Sequence, residues 1–147
     1  MHASSHSWMV WWKQVLQDPS SMATLVPSSR FLASAMARAA RINEQSFVIE
    51  LGPGLGHITS GLLAAGARGD HVVALEVQPS LAKMMSIRHP SVRTFAVDAR
   101  YMNFLQRDLN LPPAHAVVSS LGLRNMDNAT VEHILRAGRA ALRDDGV

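Results

Sequence analysis

Apolar positions along the chain recur with two different periods. Trp8, Trp11, Trp12, Val15 and Leu16 fall at i, i+3, i+4, i+7 and i+8, an arc of roughly 140° on one helix face. Lys13, Gln14 and Gln17 lie outside that arc. The run Asp18-Pro19-Ser20-Ser21 breaks the pattern. A second helical stripe then runs from about Ser29 to Arg41, offering Phe31, Leu32, Ala35, Met36 and Ala39 for burial.

From Phe47 onward short apolar runs alternate with helical segments. "FVIEL" predicts a buried strand and Leu55 to Ala65 a helix, followed by the strand "HVVALEV" and a helix from Pro79 to Arg88. "VRTFAV" predicts a third strand, Tyr101 to Gln106 a short helix, and "HAVVSSL" a fourth strand. Ala129 to Leu142 closes the series as a helix behind the cap candidates Asp127 and Asn128. Alternation of apolar strands with helices requires a parallel sheet covered on both faces. The expected organisation is therefore an α/β Rossmann-like domain over 46–147, preceded by a helical extension over 1–45.

Composition narrows the chemistry. The 147 residues are 48% hydrophobic and include no cysteine, which suits one domain with its own core and excludes disulfides and thiolate chemistry. No apolar run approaches the roughly 20 residues of a spanning helix, and no signal peptide is expected at the start. The pI of about 10.2 arises from a net charge of only +3, because 12 of the 14 basic residues are arginine. From Ser46 onward ten basic residues face nine acidic ones, scattered along the chain. That even scatter disfavours a nucleic-acid partner, which calls for charge clustered on one face. No metal-ligand constellation is present, so no metal is expected.

The candidate site lies after the first strand, where Gly52-Pro53-Gly54-Leu55-Gly56 forms a glycine-rich turn. In an open parallel sheet, ligands sit at the carboxyl ends of the strands. Glu50 precedes the turn and would repel a pyrophosphate, whereas it suits a ligand carrying an ammonium or sulfonium group. No Lys or Arg lies between Leu51 and Ala67, which excludes a P-loop. Glu76 closes the second strand, placed to accept the two hydroxyls of a ribose. Asp98 closes the third, placed to accept from an exocyclic amine such as that of adenine. A nucleoside with a cationic tail and no phosphate is S-adenosylmethionine. A single strand-end acid is often only solvated or a helix cap; three at consecutive strand ends point to the ligand.

"VIELGPGLGHIT", "ALEVQPS", "VDAR" and "AVVSSLGLRNM" resemble successive motifs of class I S-adenosylmethionine-dependent methyltransferases. The opening "WWKQVLQDPSSMATLVPSSRFLASAMA" resembles that of the bacterial phospholipid N-methyltransferases, and the ribosomal RNA adenine dimethyltransferases share much of the core. The resemblance implies strand order 3-2-1-4, with Glu50, Gly52, Gly54 and Gly56 as the cofactor loop, Glu76 on the ribose, and Asp98 with Ala99 at the adenine. It sets the acceptor beside the loop of Ser119, Ser120, Leu121, Gly122 and Asn125. Gly122 stands where related enzymes tend to carry proline, a substitution expected to loosen the loop.

These readings lead to the expectation of an N-methyltransferase acting on phosphatidylethanolamine or its methylated forms, cytoplasmic and peripheral on the inner membrane face. The stripe of Trp8, Trp11, Trp12, Val15 and Leu16 would contact the membrane surface. RNA adenine N-methylation is the competing expectation; an Asn-Pro and an aromatic in the acceptor loop would mark it, and "SSLGLRN" has neither Pro nor aromatic. A third is a shortened chain that binds cofactor and membrane without turnover. His57, His115 and His133 are base candidates in chemistry only, since such histidines more often sit on surfaces or flank strands. Tyr101 is a similar candidate for head-group contact. The resembled fold continues for three more strands beyond "ALRDDGV", so the fourth strand is expected to present a bare outer edge.

Overall fold

The computed structural model describes residues 29–147; the tryptophan stripe expected to meet a membrane (Trp8, Trp11, Trp12, Val15 and Leu16) lies outside them. The elements are α1 (Ser29–Ala39), β1 (Val48–Leu51), α2 (His57–Ala64), β2 (Val72–Leu75), α3 (Pro79–Arg88), β3 (Arg93–Phe95), α4 (Met102–Asp108), β4 (Ala116–Ser119) and α5 (Asn128–Ala141). The strands form one parallel sheet in the order β3-β2-β1-β4, as the resemblance implies. Val48 pairs with Val72 on one side and Ala116 on the other, which puts β1 at the centre.

Period-two alternation along the strands divides the core into two layers. Val48, Val72, Ala74, Ala116 and Val118 face Met36 of α1, Ile58 and Leu62 of α2 and Met85 of α3. Ile49, Leu51, Val73 and Leu75 face Met102 of α4 and Ile134, Ala137 and Ala141 of α5. Every residue of β1 and β2 is buried, which is why both read as unbroken apolar runs.

Element boundaries move for local reasons. The helix expected from Leu55 starts at His57, because Gly56 is its cap at φ 83°, in the left-handed region. Asp127 caps α5, accepting from the Thr130 amide at 2.9 Å and its hydroxyl at 2.7 Å, while Asn128 is already helical. β2, β3 and β4 end earlier than the apolar runs suggest, whereas β1 ends at Leu51 as expected.

Two expectations fail. Phe31 is 78% exposed and Ala35 and Ala39 are exposed as well; α1 buries Met36 as expected, but beside it Ala33, Ala37 and, just past its end, Ala40. Small residues win that face because α1 crosses α2 closely: a methyl group on Gly61 would overlap the side chain of Ala33. The outer edge of β4 is not bare either. The Asp144-Asp145-Gly146 turn brings the chain back along it, with Arg143 N–H donating to Ala114 C=O at 2.9 Å. Val147 N–H donates to His115 C=O and Val117 N–H to Val147 C=O, both at 2.9 Å.

The close crossing predicts that Gly61→Ala destabilises the protein although alanine is the better helix former. Overpacking costs about 1–3 kcal/mol, against a propensity gain of about 1 kcal/mol. Urea denaturation should show the loss, and Ala33→Gly in the same chain should restore most of it.

Candidate functional site

The site is assembled where β1, β2 and β3 end. Gly52, Gly54 and Gly56 have φ of 67°, 53° and 83°, so the turn needs three left-handed residues, a conformation costly to any residue with a Cβ. Gly52 N–H donates to Leu75 C=O at 2.9 Å and Gly56 N–H to Pro53 C=O at 2.8 Å. A Cβ at Gly52 would run into the Leu121 side chain, whereas at Gly54 it would meet nothing within 4 Å. The face of Gly54 is thus open to a ligand.

Glu76 is 5% exposed and faces that turn. Its Oε2 accepts from the Gly54 amide at 3.1 Å and its Oε1 from the Gln78 amide at 3.0 Å. Each oxygen keeps a lone pair, so the carboxylate can still receive a diol.

Glu50 sits elsewhere than the sequence suggests. Expected at the mouth of the turn, it lies beneath it with no solvent exposure, because it shares a strand face with Val48 and points under α2. Thr59 Oγ1 donates to its Oε2 at 2.7 Å, and its buried Oε1 has no partner. Burial pushes its pKa from 4.5 up to about 7, against the opposing pull of the Thr59 hydrogen bonds.

Asp98 and Ala99 line a cleft of about 350 Å³ together with Leu121 and Asn125 of the acceptor loop. The structure therefore unites the expected adenine-side and acceptor-side residues. Asp98 is engaged already: Arg100 donates to it from its backbone at 2.9 Å and from its guanidinium at 2.9 Å. Those hydrogen bonds hold the Asp98 carboxyl below its usual range. Arg100 was not foreseen as a site residue, although a basic residue two positions after a strand-end acid is a legible signal. Arg88 was also missed; it crosses from α3 to donate to Leu55 C=O at 2.8 Å.

In the acceptor loop, Ser119 Oγ accepts from the Leu121 amide at 3.2 Å and Ser120 N–H donates to Leu51 C=O at 3.0 Å. Gly122 has φ −74° and ψ 64°, the centre of an inverse γ-turn closed by Leu123 N–H to Leu121 C=O at 2.8 Å. That φ is one proline also adopts, so the turn at Gly122 does not depend on glycine's extra conformational freedom. Of the candidate bases, His115 is tied to Ala40 C=O at 2.8 Å, a structural contact. His57 and His133 are exposed. Tyr101 is exposed and lies beside Arg100 and Phe104.

Comparison with known proteins places this arrangement. The profile of the ribosomal RNA adenine dimethylase family matches residues 28–143. The ribosomal RNA small subunit methyltransferase A of Mycobacterium avium is 35% identical over 85 residues, covering 54% of this chain and 26% of that protein. The chain thus spans about a quarter of the length of the curated relatives it matches. Among solved structures, the glycopeptide N-methyltransferase MtfA complexed with sinefungin superposes with TM-score 0.64 at 19% identity, over 80% of this chain and 51% of that one. Streptomyces venezuelae DesVI superposes with TM-score 0.65 at 14% identity, over 86% and 52%. These likenesses establish the fold as the Rossmann-like methyltransferase fold.

The same comparisons overturn the expected partner. The relatives are ribosomal RNA methyltransferases, so the case against nucleic acid gives way, and RNA is favoured over phospholipid as the acceptor. Residues 1–45 add Lys13, Arg30, Arg38 and Arg41 against Asp18 and Glu44 to the near-neutral balance from Ser46 onward.

The burial of Glu50 makes stability pH-dependent. A carboxyl whose pKa is raised in the folded state keeps its proton where the unfolded chain has lost it, so stability falls as pH rises from 4.5 to about 7. At about 1.4 kcal/mol per pH unit the loss amounts to about 3 kcal/mol, complete above the folded pKa. Denaturation curves at pH 5 and pH 8 should show it in the wild type, and Glu50→Gln should remove most of it.

Proposed function

The chain belongs to the ribosomal RNA adenine dimethylase family, and from that premise we propose that it acts in S-adenosylmethionine-dependent N-methylation of adenine in RNA. The observation that carries this reading is the family match, which spans all four strands, the glycine turn and the acceptor loop.

The residues fit the cofactor. Gly54 leaves room for close backbone approach, Glu76 offers oxygens for the ribose, and Ala99 lines the neighbouring cleft where an adenine would lie. Glu50 lies beneath the turn with Oε1 unpartnered, and a cationic tail beside it would favour its ionised form over the protonated one that burial favours. An adenine amine reaching Asp98 would share it with Arg100.

When bound, S-adenosylmethionine supplies an electrophilic methyl carbon on a sulfonium sulfur. Transfer forms an N–C bond as the C–S bond breaks and releases one proton from the methylated amine, so no protein nucleophile is required. What the chain supplies is position. The Asn125 carboxamide shares the cleft with Ala99, and can orient an exocyclic amine whose lone pair must face the methyl group. The inverse γ-turn at Gly122 fixes the path of that loop although it lacks the Asn-Pro and aromatic looked for in an RNA enzyme.

Incubation with methyl-labelled S-adenosylmethionine, unmethylated small-subunit ribosomal RNA and phosphatidylethanolamine vesicles tests the reading. Label is expected in adenine of the RNA; label confined to lipid would sink it. Glu76→Ala should weaken cofactor binding about 10- to 100-fold, the worth of a lost charge-assisted hydrogen-bonding group. Unchanged affinity by calorimetry would remove Glu76 from the site.

A further inference from the structure

The net charge is unevenly placed. Residues 1–45 hold Lys13, Arg30, Arg38 and Arg41 against Asp18 and Glu44, so they carry two of the three net positive charges. Arg30 and Arg38 lie on one side of α1, within about 80° at 100° per residue, and Arg41 follows just past its end. With His57 of α2 they line a cleft of about 580 Å³ between the two helices, and among the described residues no carboxylate lines it. All three guanidinium residues are exposed. Among the described residues, none of the three forms an ion pair.

The position of Arg41 adds a second, independent observation. Its φ is 50°. Arg41 N–H donates to Arg38 C=O and Ile42 N–H to Ala37 C=O, each at 3.0 Å, the hydrogen-bond pair of a Schellman helix end. Glycine is the residue at home there, and a side chain is held against its backbone preference. A strained arginine at the end of a cationic cleft points to a use for its guanidinium.

We propose that the α1–α2 cleft is a track for the sugar-phosphate backbone of the RNA acceptor, with Arg30, Arg38 and Arg41 neutralising phosphates along it. This rests on the RNA reading above. The track meets the cofactor turn, since His57 directly follows Gly56, so a strand lying in it is delivered to the carboxyl ends of the sheet. Arginine suits the task through its fixed fork of donors.

The test is fluorescence anisotropy of a labelled RNA oligonucleotide with the full chain, from about 50 to 200 mM salt. Arg38→Gln with Arg41→Gln should weaken binding about 10-fold or more and flatten the salt slope by about 1.4–1.8, from 0.7–0.9 per lost phosphate contact. S-adenosylmethionine affinity, read by calorimetry, should not change. Arg41→Gly separates strain from function: it should raise the melting temperature yet weaken RNA binding. If the wild type binds RNA and the variants bind with the same slope, the track is wrong while the RNA reading stands. Wild type that ignores RNA but binds phosphatidylglycerol vesicles through these arginines would overturn both.

Discussion

The hydrogen bond from the Gly54 amide to the Glu76 carboxylate couples the two strands that face the ligand. β1 and β2 are paired along their length, but pairing alone does not fix what happens past Leu51 and Leu75. The turn between β1 and α2 is free to take many paths unless an atom outside it holds an amide. Glu76, buried at the end of β2, does that with one oxygen and holds the Gln78 amide with the other. A charge-assisted bond in a low-dielectric setting is worth more than a surface one. The group that would recognise the ribose therefore also sets the shape of the loop beside it. Binding and preorganisation draw on the same carboxylate.

Beneath this tie lies a second carboxyl with the opposite environment. Glu50 has one oxygen on Thr59 and one on nothing, and burial raises its pKa to about 7. An isolated buried carboxylate is costly, and beyond Thr59 the side chains packed on the sheet from that face are apolar. The fold tolerates that cost next to the turn where a cationic ligand would offset it. Destabilisation of the bare site is thereby linked to affinity for a positive charge.

The fold was legible in the sequence to the extent that its elements are governed by burial on two faces. Four apolar runs, each followed by a helical pattern, admit few topologies, and the order β3-β2-β1-β4 follows the methyltransferase resemblance. What remained hidden depends on long-range packing. Periodicity ranks Phe31 above Ala33 for burial, yet the close approach of Gly61 admits only a small residue. The same limit applies to the site. Gly52, Gly54 and Gly56 announce themselves, because few sequences need three left-handed residues in a row of five. The pairing of Asp98 with Arg100 and the reach of Arg88 to Leu55 C=O depend on rotamers and on helix placement, which spacing does not encode.

Charge shows the difference between composition and placement most clearly. Summed over the sheet-forming region, ten bases against nine acids describe a nearly neutral surface, a sum that by itself disfavours a polyanionic partner. A folded surface does not average its charges along the chain; it collects those that share a helix face and a cleft. Arg30, Arg38 and Arg41 line one cleft with His57, with no carboxylate among the described residues lining it, while Arg68, Arg100, Arg136 and Arg143 are each paired to an acid. A field strong enough to steer a polyanion needs only such a local excess, since screening confines each charge to about 10 Å at 0.1 M salt. The cationic cleft thus fits the family assignment where a charge sum over the sheet-forming region does not.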